Sequence, residues 1–184
     1  TQLQSSAASD VYKRQSYEMV SGNQGHWSDL STEEISTVRD LMDTMIPTPS
    51  GCFIEGFSHW PLKSIGVEHL SGINLRQEEI NWISTKLTGD VQQEALFSYL
   101  TELGCVLRPG FKYGCKWRVY DDDVAKSHAP WLLQPMTEAP VSWEQTCLSV
   151  RLAEGVHKKW VCGLKEDIGD WKFLHIKRWL PGRV

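Results

Sequence analysis

The sequence GFKYGCKWRVYDDDVAKSHAPWLL, residues 110–133, carries the strongest structural signal in the chain. Polar and apolar residues alternate along it from Cys115 to Tyr120, as they do in a half-buried β-strand. This alternation predicts that Tyr120 leaves the strand on its polar face. After a short acidic loop, His128 opens a second apolar run, APWLL, which predicts another strand over residues 128–134. Tyr120 and His128 are therefore expected at strand ends, where functional side chains tend to collect.

A helix and two further strands are predicted downstream of this stretch. Ser142 is placed to open the helix, which contains the sequence SVRLAEGVHKK at residues 149–159. Residues 157–164 then form an apolar run typical of a strand, so Lys158 lies where the helix gives way to it. The segment KEDIGD predicts a hairpin turn into a last strand over residues 171–179.

The first half of the chain begins with a clear helix signal. Ser31 and Glu34 have the spacing of a capping box, and apolar residues then repeat at helical spacing as far as Ile46. Pro47 is expected to end this helix. The following segment is rich in glycine, proline and aromatic residues, and it predicts at most a short strand near residues 52–54.

Two more helices are predicted before the opening stretch. The first runs from Asn74 to Gly89, because a glycine after an apolar helical pattern is typical of a helix terminus. The second is capped by Asp90 and ends at Gly104. A strand over residues 105–108 follows it and leads into a Pro-Gly turn.

These elements predict an α+β protein. Residues 1–24 are rich in Ser, Gln and Ala and are expected to be a disordered tail. Residues 25–103 are expected to form a small mixed N-terminal α/β domain. Residues 104–184 are expected to form a C-terminal α/β domain with a central mixed sheet flanked by helices.

Composition and charge limit the classes of function that are expected for this chain. The 184 residues carry a formal net charge of −4, so any binding of nucleic acid must depend on a local basic surface. The five cysteines show no spacing typical of metal ligands, and they predict buried, reduced thiols in a cytoplasmic protein. No apolar run approaches the ~20 residues of a membrane helix, and the N-terminus lacks the apolar core of a signal peptide.

Four segments resemble the archaeal-type tRNA-splicing endonucleases, specifically the catalytic subunit, and they occur in the family's order. They are EALFSYLTELGCVLRPGFKYGCKWRVY, the segment HAPWLL from His128, VRLAEGVHKKWVCGL and FLHIKRW. The resemblance implies a restriction-endonuclease-like fold for the C-terminal domain. It also implies removal of introns from precursor tRNA at bulge-helix-bulge sites, without a metal or another cofactor.

The resemblance implies a catalytic triad of Tyr120, His128 and Lys158. RNA can be cut by its own 2′-hydroxyl, which attacks the adjacent phosphate and leaves a 2′,3′-cyclic phosphate and a 5′-hydroxyl. Tyr120 would act as base, His128 as acid, and Lys158 would stabilise the developing negative charge. A free tyrosine has a pKa of about 10, so a neighbouring cation is expected to help it ionise, and Lys158 is the candidate. Lys159 is the alternative to Lys158.

The same resemblance implies how RNA is held. Arg151 is expected to stack on an unpaired base of the bulge, because guanidinium planes stack well on flipped bases. Arg178, or alternatively Lys177, would supply its partner from the last strand.

An oligomer is also implied. Two bulges that are cut symmetrically need two catalytic sites, so a homotetramer or a heterotetramer with a structural subunit is expected. The acidic hairpin with Glu166, Asp167 and Asp170 is expected to insert into a basic cleft of a neighbouring subunit. The last strand is expected to be an apolar sheet edge.

Two alternatives remain open from the sequence. The chain could be a non-catalytic structural or RNA-binding subunit of the same assembly, with a vestigial triad. It could also be a metal-dependent nuclease with Asp121, Asp122 and Asp123 as ligands. The second alternative is disfavoured, because three consecutive residues at a strand end do not all point to one centre.

Overall fold

The computed structural model describes residues 27–56, 60–89, 95–121, 123–166 and 171–178. The chain divides into two compact units, with the division between Val106 and Leu107. The described residues contain four α-helices and nine strands, and the strands form two sheets. The predicted α+β class is therefore confirmed, whereas the three predicted domain ranges stay predictions.

The first unit combines three helices with an antiparallel sheet. Its helices are α1 (Thr32–Asp43), α2 (Gln77–Thr88) and α3 (Leu96–Glu102), and its strands are β1 (Ile46–Thr48), β2 (Gly51–Glu55), β3 (Val67–His69) and β4 (Gly72–Arg76). The strand order is β1-β2-β4-β3. Helix α2 packs against β2 and β4. Ile54, Leu75 and Ile83 are buried from these elements and form part of the core of the unit.

Helix α1 starts as the sequence predicts. The Ser31 hydroxyl accepts a hydrogen bond of 3.2 Å from the Glu34 N–H, and the Glu34 carboxylate accepts one of 2.8 Å from the Ser31 N–H. The predicted capping box is therefore confirmed. The helix ends at Asp43, and Ile46, which was predicted to be helical, instead pairs with Phe53 in the edge strand β1. Pro47 is tolerated there because an edge strand need not donate every backbone N–H.

Helix α2 starts three residues later than predicted. Asn74 lies in β4, where it is paired with Phe53 of β2 on one side and Val67 of β3 on the other. Helical periodicity does not reveal such long-range pairing, and for this reason the predicted start was wrong. The predicted end was right, because Gly89 caps the helix in the left-handed conformation with φ of 74°.

A buried carboxylate fixes the start of α2. Glu79 is fully buried, and its carboxylate accepts hydrogen bonds from the Gly66 N–H at 3.1 Å and the Arg76 N–H at 2.9 Å. The Arg76 guanidinium pairs with the same carboxylate at 3.1 Å. These bonds satisfy a charge that would otherwise be costly to bury, and they tie the helix start to the segment before β3.

The second unit is built on a five-stranded mixed sheet. Its strands are β5 (Val106–Pro109), β6 (Trp117–Tyr120), β7 (Trp131–Pro135), β8 (Lys159–Lys165) and β9 (Trp171–Ile176), and its helix is α4 (Trp143–Gly155). The strand order is β5-β6-β7-β8-β9. Strands β7 and β8 are parallel, whereas β6–β7 and β8–β9 are antiparallel. The predicted mixed sheet is confirmed, while its restriction-endonuclease-like layout stays a prediction.

Helix α4 is the crossover that a parallel pair of strands requires. Ser142 caps it by accepting a hydrogen bond of 3.2 Å from the Gln145 N–H, as predicted. The helix packs against β8. A buried cluster joins helix and sheet through Cys115, Leu132, Val150, Ala153, Trp160 and Cys162.

The cysteines behave largely as predicted. All five are free thiols, four of them are buried, and Cys147 is half-buried. Burial raises the pKa of Cys115 to about 11 and that of Cys162 also to about 11. Both thiols are therefore protonated at neutral pH and act as packing groups.

Strand bounds differ from the predictions mainly at their starts. Strand β7 begins at Trp131 and not at His128, and β8 begins at Lys159, so His128 and Lys158 both precede their strands. Strand β9 ends at Ile176, and among the described strands it lies at one edge of its sheet. The prediction that the last strand reaches residue 179 is wrong, because the described residues 177 and 178 already lie beyond the strand. Other predictions lie outside the described residues: the tail 1–24, the cap at Asp90, Asp122, Asp167 and Asp170.

None of the helices in the described ranges combines the length and apolar character needed to span a bilayer.

Candidate active site

The sheet of the second unit brings three strand ends together. Val119 of β6 is paired with Trp131 of β7, and Trp131 is paired with Lys159 of β8. Tyr120 follows Val119 and Lys158 precedes Lys159, so both lie at the same end of the sheet as the start of β7. Neighbouring strands are about 4.8 Å apart, which places the Cα atoms of Tyr120 and Lys158 roughly 10 Å apart. His128 lies three residues before Trp131, at the same end.

The backbone at the end of α4 fixes the position of Lys158. The Lys158 N–H donates to the Ala153 carbonyl at 2.9 Å, and the His157 N–H donates to the Glu154 carbonyl at 3.1 Å. This pair of bonds is a Schellman motif, in which one residue adopts the left-handed conformation. That residue is His157, with φ of 56°, although glycine usually takes this place. Lys158 is thus held by main-chain bonds directly before β8.

The side chain of Lys158 points to the segment that contains His128. Its ammonium group donates a hydrogen bond of 2.5 Å to the Ala129 carbonyl, and the side chain is partly buried. Burial lowers the pKa of Lys158, and the nearby positive charge of Arg118 lowers it further. The ammonium group is therefore partly desolvated, and partial desolvation strengthens its attraction to an incoming anion.

Lys159 has different surroundings. Its N–H donates to the Pro130 carbonyl at 2.9 Å within the β7–β8 ladder. Burial lowers the pKa of His175 on β9, and the positive charges of Lys159 and Lys177 lower it further. Lys159 thus contributes to the electrostatic field around His175, whereas Lys158 is bonded beside His128.

Tyr120 differs from its prediction. Trp117 and Val119 are buried and Arg118 is half-buried, as the alternation predicts, but Tyr120 is only 5% exposed. The Arg118 guanidinium lies 5.8 Å from the centre of the Tyr120 ring and covers part of it. Tyr120 therefore lies on the face of Arg118, as predicted, but this end of the face is buried and not exposed to solvent.

His128 is exposed at the end of an ordered turn. Asp123 shapes this turn: its carboxylate accepts a hydrogen bond of 2.9 Å from the Ala125 N–H, and its carbonyl accepts one of 3.1 Å from the Ser127 hydroxyl. Lys126 forms an ion pair with the same carboxylate at 3.4 Å. Asp123 is thus engaged in local structure. Within the described part of the chain, no three His, Cys, Asp or Glu side chains are grouped closely enough to hold a metal ion.

The predicted RNA-binding residues lie at the end of α4 and beyond β9. Arg151 is exposed on α4, two turns before Lys158. Arg178 is held by Glu154, whose carboxylate accepts from the Arg178 backbone N–H at 3.0 Å and lies 3.5 Å from its guanidinium. Lys177 is exposed. Arg178 is therefore tied to α4, and a ligand would have to compete with Glu154 for it.

Of the predicted interface residues, only Glu166 lies within the described ranges. It is exposed and paired with Lys172 of β9 across the hairpin.

Arg118 is the residue that the sequence reasoning missed. Its side chain contacts Tyr120, and its charge acts on Lys158. The sequence did contain a signal for this contact: Arg118 and Tyr120 are two residues apart, and residues two apart on a strand share a face. Arg118 was predicted on the same face as Tyr120, but its contact with the ring was not predicted.

Comparison with known proteins points to one family. Residues 91–173 match the profile described as tRNA intron endonuclease, catalytic C-terminal domain. This segment contains Tyr120, His128 and Lys158, and Arg118 and Arg151 as well.

Archaeal relatives carry the name tRNA-splicing endonuclease. The chain is 29% identical over 107 residues to the protein of Methanopyrus kandleri, which is 56% of this chain and 59% of that protein. It is 33% identical over 85 residues to the protein of Thermoplasma volcanium, covering 46% of this chain and 28% of that protein. It is 32% identical over 90 residues to the protein of Natronomonas pharaonis, and the match covers 47% of this chain and 27% of that protein. The chain thus matches less than two thirds of the length of these relatives. Over the segment 91–173, the chain is thus similar to the catalytic C-terminal domain of the tRNA intron endonucleases.

Proposed function

We propose that this chain is the catalytic subunit of a tRNA-splicing endonuclease that removes introns from precursor tRNA. The observation that carries the proposal is the convergence of Tyr120, His128 and Lys158 at one end of the second sheet. A base, an acid and a cation on neighbouring strand ends are the groups that metal-independent RNA cleavage needs.

In the proposed reaction the RNA supplies its own nucleophile. Tyr120, as phenolate, accepts the proton of the 2′-hydroxyl, and the 2′-oxygen forms a bond to the adjacent phosphorus. The bond from phosphorus to the 5′-oxygen breaks, and His128, as imidazolium, donates a proton to that oxygen. The products are a 2′,3′-cyclic phosphate and a 5′-hydroxyl, and the two protein groups return to their starting protonation through solvent.

Lys158 has the features of the charge stabiliser. Its ammonium group is partly buried and anchored on the Ala129 carbonyl, so it is oriented before the substrate arrives. Preorganised charge of this kind is more effective than a freely solvated lysine, because little reorganisation accompanies the reaction. The backbone bonds at the end of α4 add to this rigidity.

Bulge-helix-bulge RNA is the proposed substrate, with Arg151 stacked on an unpaired base and Arg178 or Lys177 opposite it. Arg151 is exposed on the helix that leads to Lys158, which supports its role near the site. A symmetric pair of cuts then requires a homotetramer or a heterotetramer with a structural subunit, with the hairpin of Glu166, Asp167 and Asp170 at an interface.

One observation favours a second candidate function. Tyr120 is only 5% exposed, so little of its side chain is open to a substrate. This burial suits a structural or RNA-binding subunit of the same assembly, in which the three residues no longer act. Cleavage and binding must therefore be measured separately.

The decisive experiment incubates the purified chain with a bulge-helix-bulge RNA in excess chelator and analyses the product ends. We expect two cuts that leave 2′,3′-cyclic phosphate. The His128→Ala variant should lose cleavage but keep RNA binding, and His69→Ala, at an exposed histidine of β3, serves as the matched control. Binding without cleavage by the wild-type chain would favour the structural subunit. Cleavage that returns only with added magnesium would contradict the triad mechanism.

A further inference from the structure

Arg118 is placed between the site and the body of the second unit. Its guanidinium carbon lies 5.8 Å from the centre of the Tyr120 ring and 5.9 Å from the centre of the Tyr113 ring. Its Nε donates a hydrogen bond of 3.0 Å to the Pro109 carbonyl. Both anchors, Tyr113 and Pro109, precede β6, so Arg118 connects this segment to the residue at the end of the strand.

The anchors are themselves fixed. Tyr113 packs against the buried cluster that joins α4 to the sheet. Pro109 ends β5, which neighbours β6 in the sheet. The guanidinium group is therefore held by contacts that do not involve the Tyr120 hydroxyl, and its charge and plane are fixed before any substrate binds.

The charge of Arg118 is not neutralised by any carboxylate in the described ranges. Among the residues that the structure describes, none of the Asp or Glu side chains forms an ion pair with Arg118. Its positive charge also reaches Lys158, whose pKa it lowers. The tyrosine and the lysine thus share one cationic neighbour that neither composition nor motif pointed to.

We propose that Arg118 is a positioning residue for RNA cleavage: its guanidinium holds the Tyr120 ring in the orientation from which the phenolic oxygen accepts the 2′-hydroxyl proton. This inference rests on the proposed function. The planar group covers part of the ring and keeps it from rotating away from the sheet end. Arginine is needed because a lysine ammonium cannot stack by its plane and keep the Pro109 bond at the same time.

The test compares Arg118→Lys and Arg118→Gln with the wild-type chain. We expect the single-turnover rate constant at saturating RNA to fall about 10- to 30-fold in both variants, because the cation–π contact and the bond to Pro109 are lost together. The dissociation constant for RNA should stay within about threefold of the wild-type value. Melting curves identify any variant that fails to fold, and the conservative lysine variant keeps the comparison valid if glutamine is not tolerated.

Lys116→Ala is the matched control. Lys116 lies two residues before Arg118 and carries the same charge, but it pairs with Glu138 and its ammonium group lies over the ring of Trp117, not that of Tyr120. We expect it to cleave at the wild-type rate. Equal losses in Lys116→Ala and Arg118→Gln, together with a wild-type rate in Arg118→Lys, would mean that only general positive charge matters, and they would overturn the proposal.

A readout independent of cleavage separates this proposal from the proposed function. The ring signals of Tyr120 in ¹³C-tyrosine-labelled protein, assigned with Tyr120→Phe, should move in Arg118→Lys without any RNA. If the wild-type chain does not cleave RNA, the proposed function fails, and the ring signals still decide the role of Arg118. Any of three results would overturn the proposed role of Arg118. These are unmoved ring signals, wild-type cleavage rates in both variants, and weakened RNA binding with an unchanged cleavage rate.

Discussion

The ammonium group of Lys158 lies 2.5 Å from the carbonyl oxygen of Ala129, so the lysine is bonded to the residue that follows His128. We expect Lys158→Ala to lower the cleavage rate constant by about 10²–10³-fold, because it removes a preorganised charge from the site. Lys159→Ala is the control, since Lys159 lies beside His175. Single-turnover cleavage of the same RNA measures both. A larger loss in Lys159→Ala would reverse the assignment.

The pH dependence of Lys158 follows from its surroundings. Burial and the charge of Arg118 lower its pKa below the ordinary value for lysine, so the ammonium form is lost at a lower pH than in a free lysine. Cleavage should therefore decline as pH rises through this lowered pKa. In Arg118→Gln the pKa should rise, although burial still holds it below the ordinary value. The ¹³Cε signal of Lys158, titrated in both proteins, measures the shift, and an equal midpoint would contradict the prediction.

The left-handed conformation of His157 predicts a stabilising substitution. Glycine adopts φ near 56° without the strain that a side chain imposes, so His157→Gly should raise the free energy of unfolding by about 0.5–1 kcal/mol. Val156→Gly should instead lower it, because Val156 has φ of −110° and gains only chain entropy when unfolded. Urea unfolding compares the two. Similar effects of both glycines would argue against strain at His157.

The buried carboxylate of Glu79 should be essential to the first unit. Glu79→Ala removes the acceptor of the Gly66 and Arg76 N–H groups and leaves the Arg76 guanidinium without this partner, so a loss of about 3 kcal/mol is expected. Glu78→Ala, one residue earlier in the first turn of α2, should cost only about 0.5 kcal/mol. Thermal unfolding of both variants checks this difference, and comparable losses would contradict it.

The two arginines should differ in their effect on RNA affinity. Arg151→Ala should weaken binding roughly 5- to 150-fold if its guanidinium stacks on a base, while the rate at saturating RNA changes little. Arg178→Ala should have a smaller effect, because in the free protein Arg178 is already engaged with Glu154. Glu154→Gln is the complementary variant, and it should tighten binding by releasing Arg178. Equilibrium binding to uncleaved RNA measures all three.

Local signals predicted the fold best where structure depends on neighbours in sequence. The capping box at Ser31 and the glycine cap at Gly89 are both found, because a cap involves only a few consecutive residues. The start of α2 was misplaced because Asn74 belongs to a strand whose partners, Phe53 and Val67, lie elsewhere in the chain. Pairing partners of this kind leave little trace in a helical pattern of apolar residues.

The candidate site shows the same contrast between features with a local sequence signal and features that depend on contacts elsewhere in the fold. The strand ends at Tyr120 and Lys158 could be read from changes in periodicity, and the register then explains why they meet. The burial of Tyr120 could not be read, since it depends on how Arg118 folds over the ring. The cap at His157 could not be predicted either, because glycine is the residue that usually signals a left-handed helix cap, and this position holds histidine.

The crossover through α4 has a consequence for the tolerance of this chain to insertions. One residue added within Trp143–Gly155 rotates all later residues of the helix by about 100° around the helix axis. Either the cap that presents Lys158 or the packing of Val150 and Ala153 would then be lost. The loop before Ser142 carries no such helical phase, and its Ala139 packs against the buried cluster. The length of one helix is thus as strict a requirement for this site as the identity of its side chains.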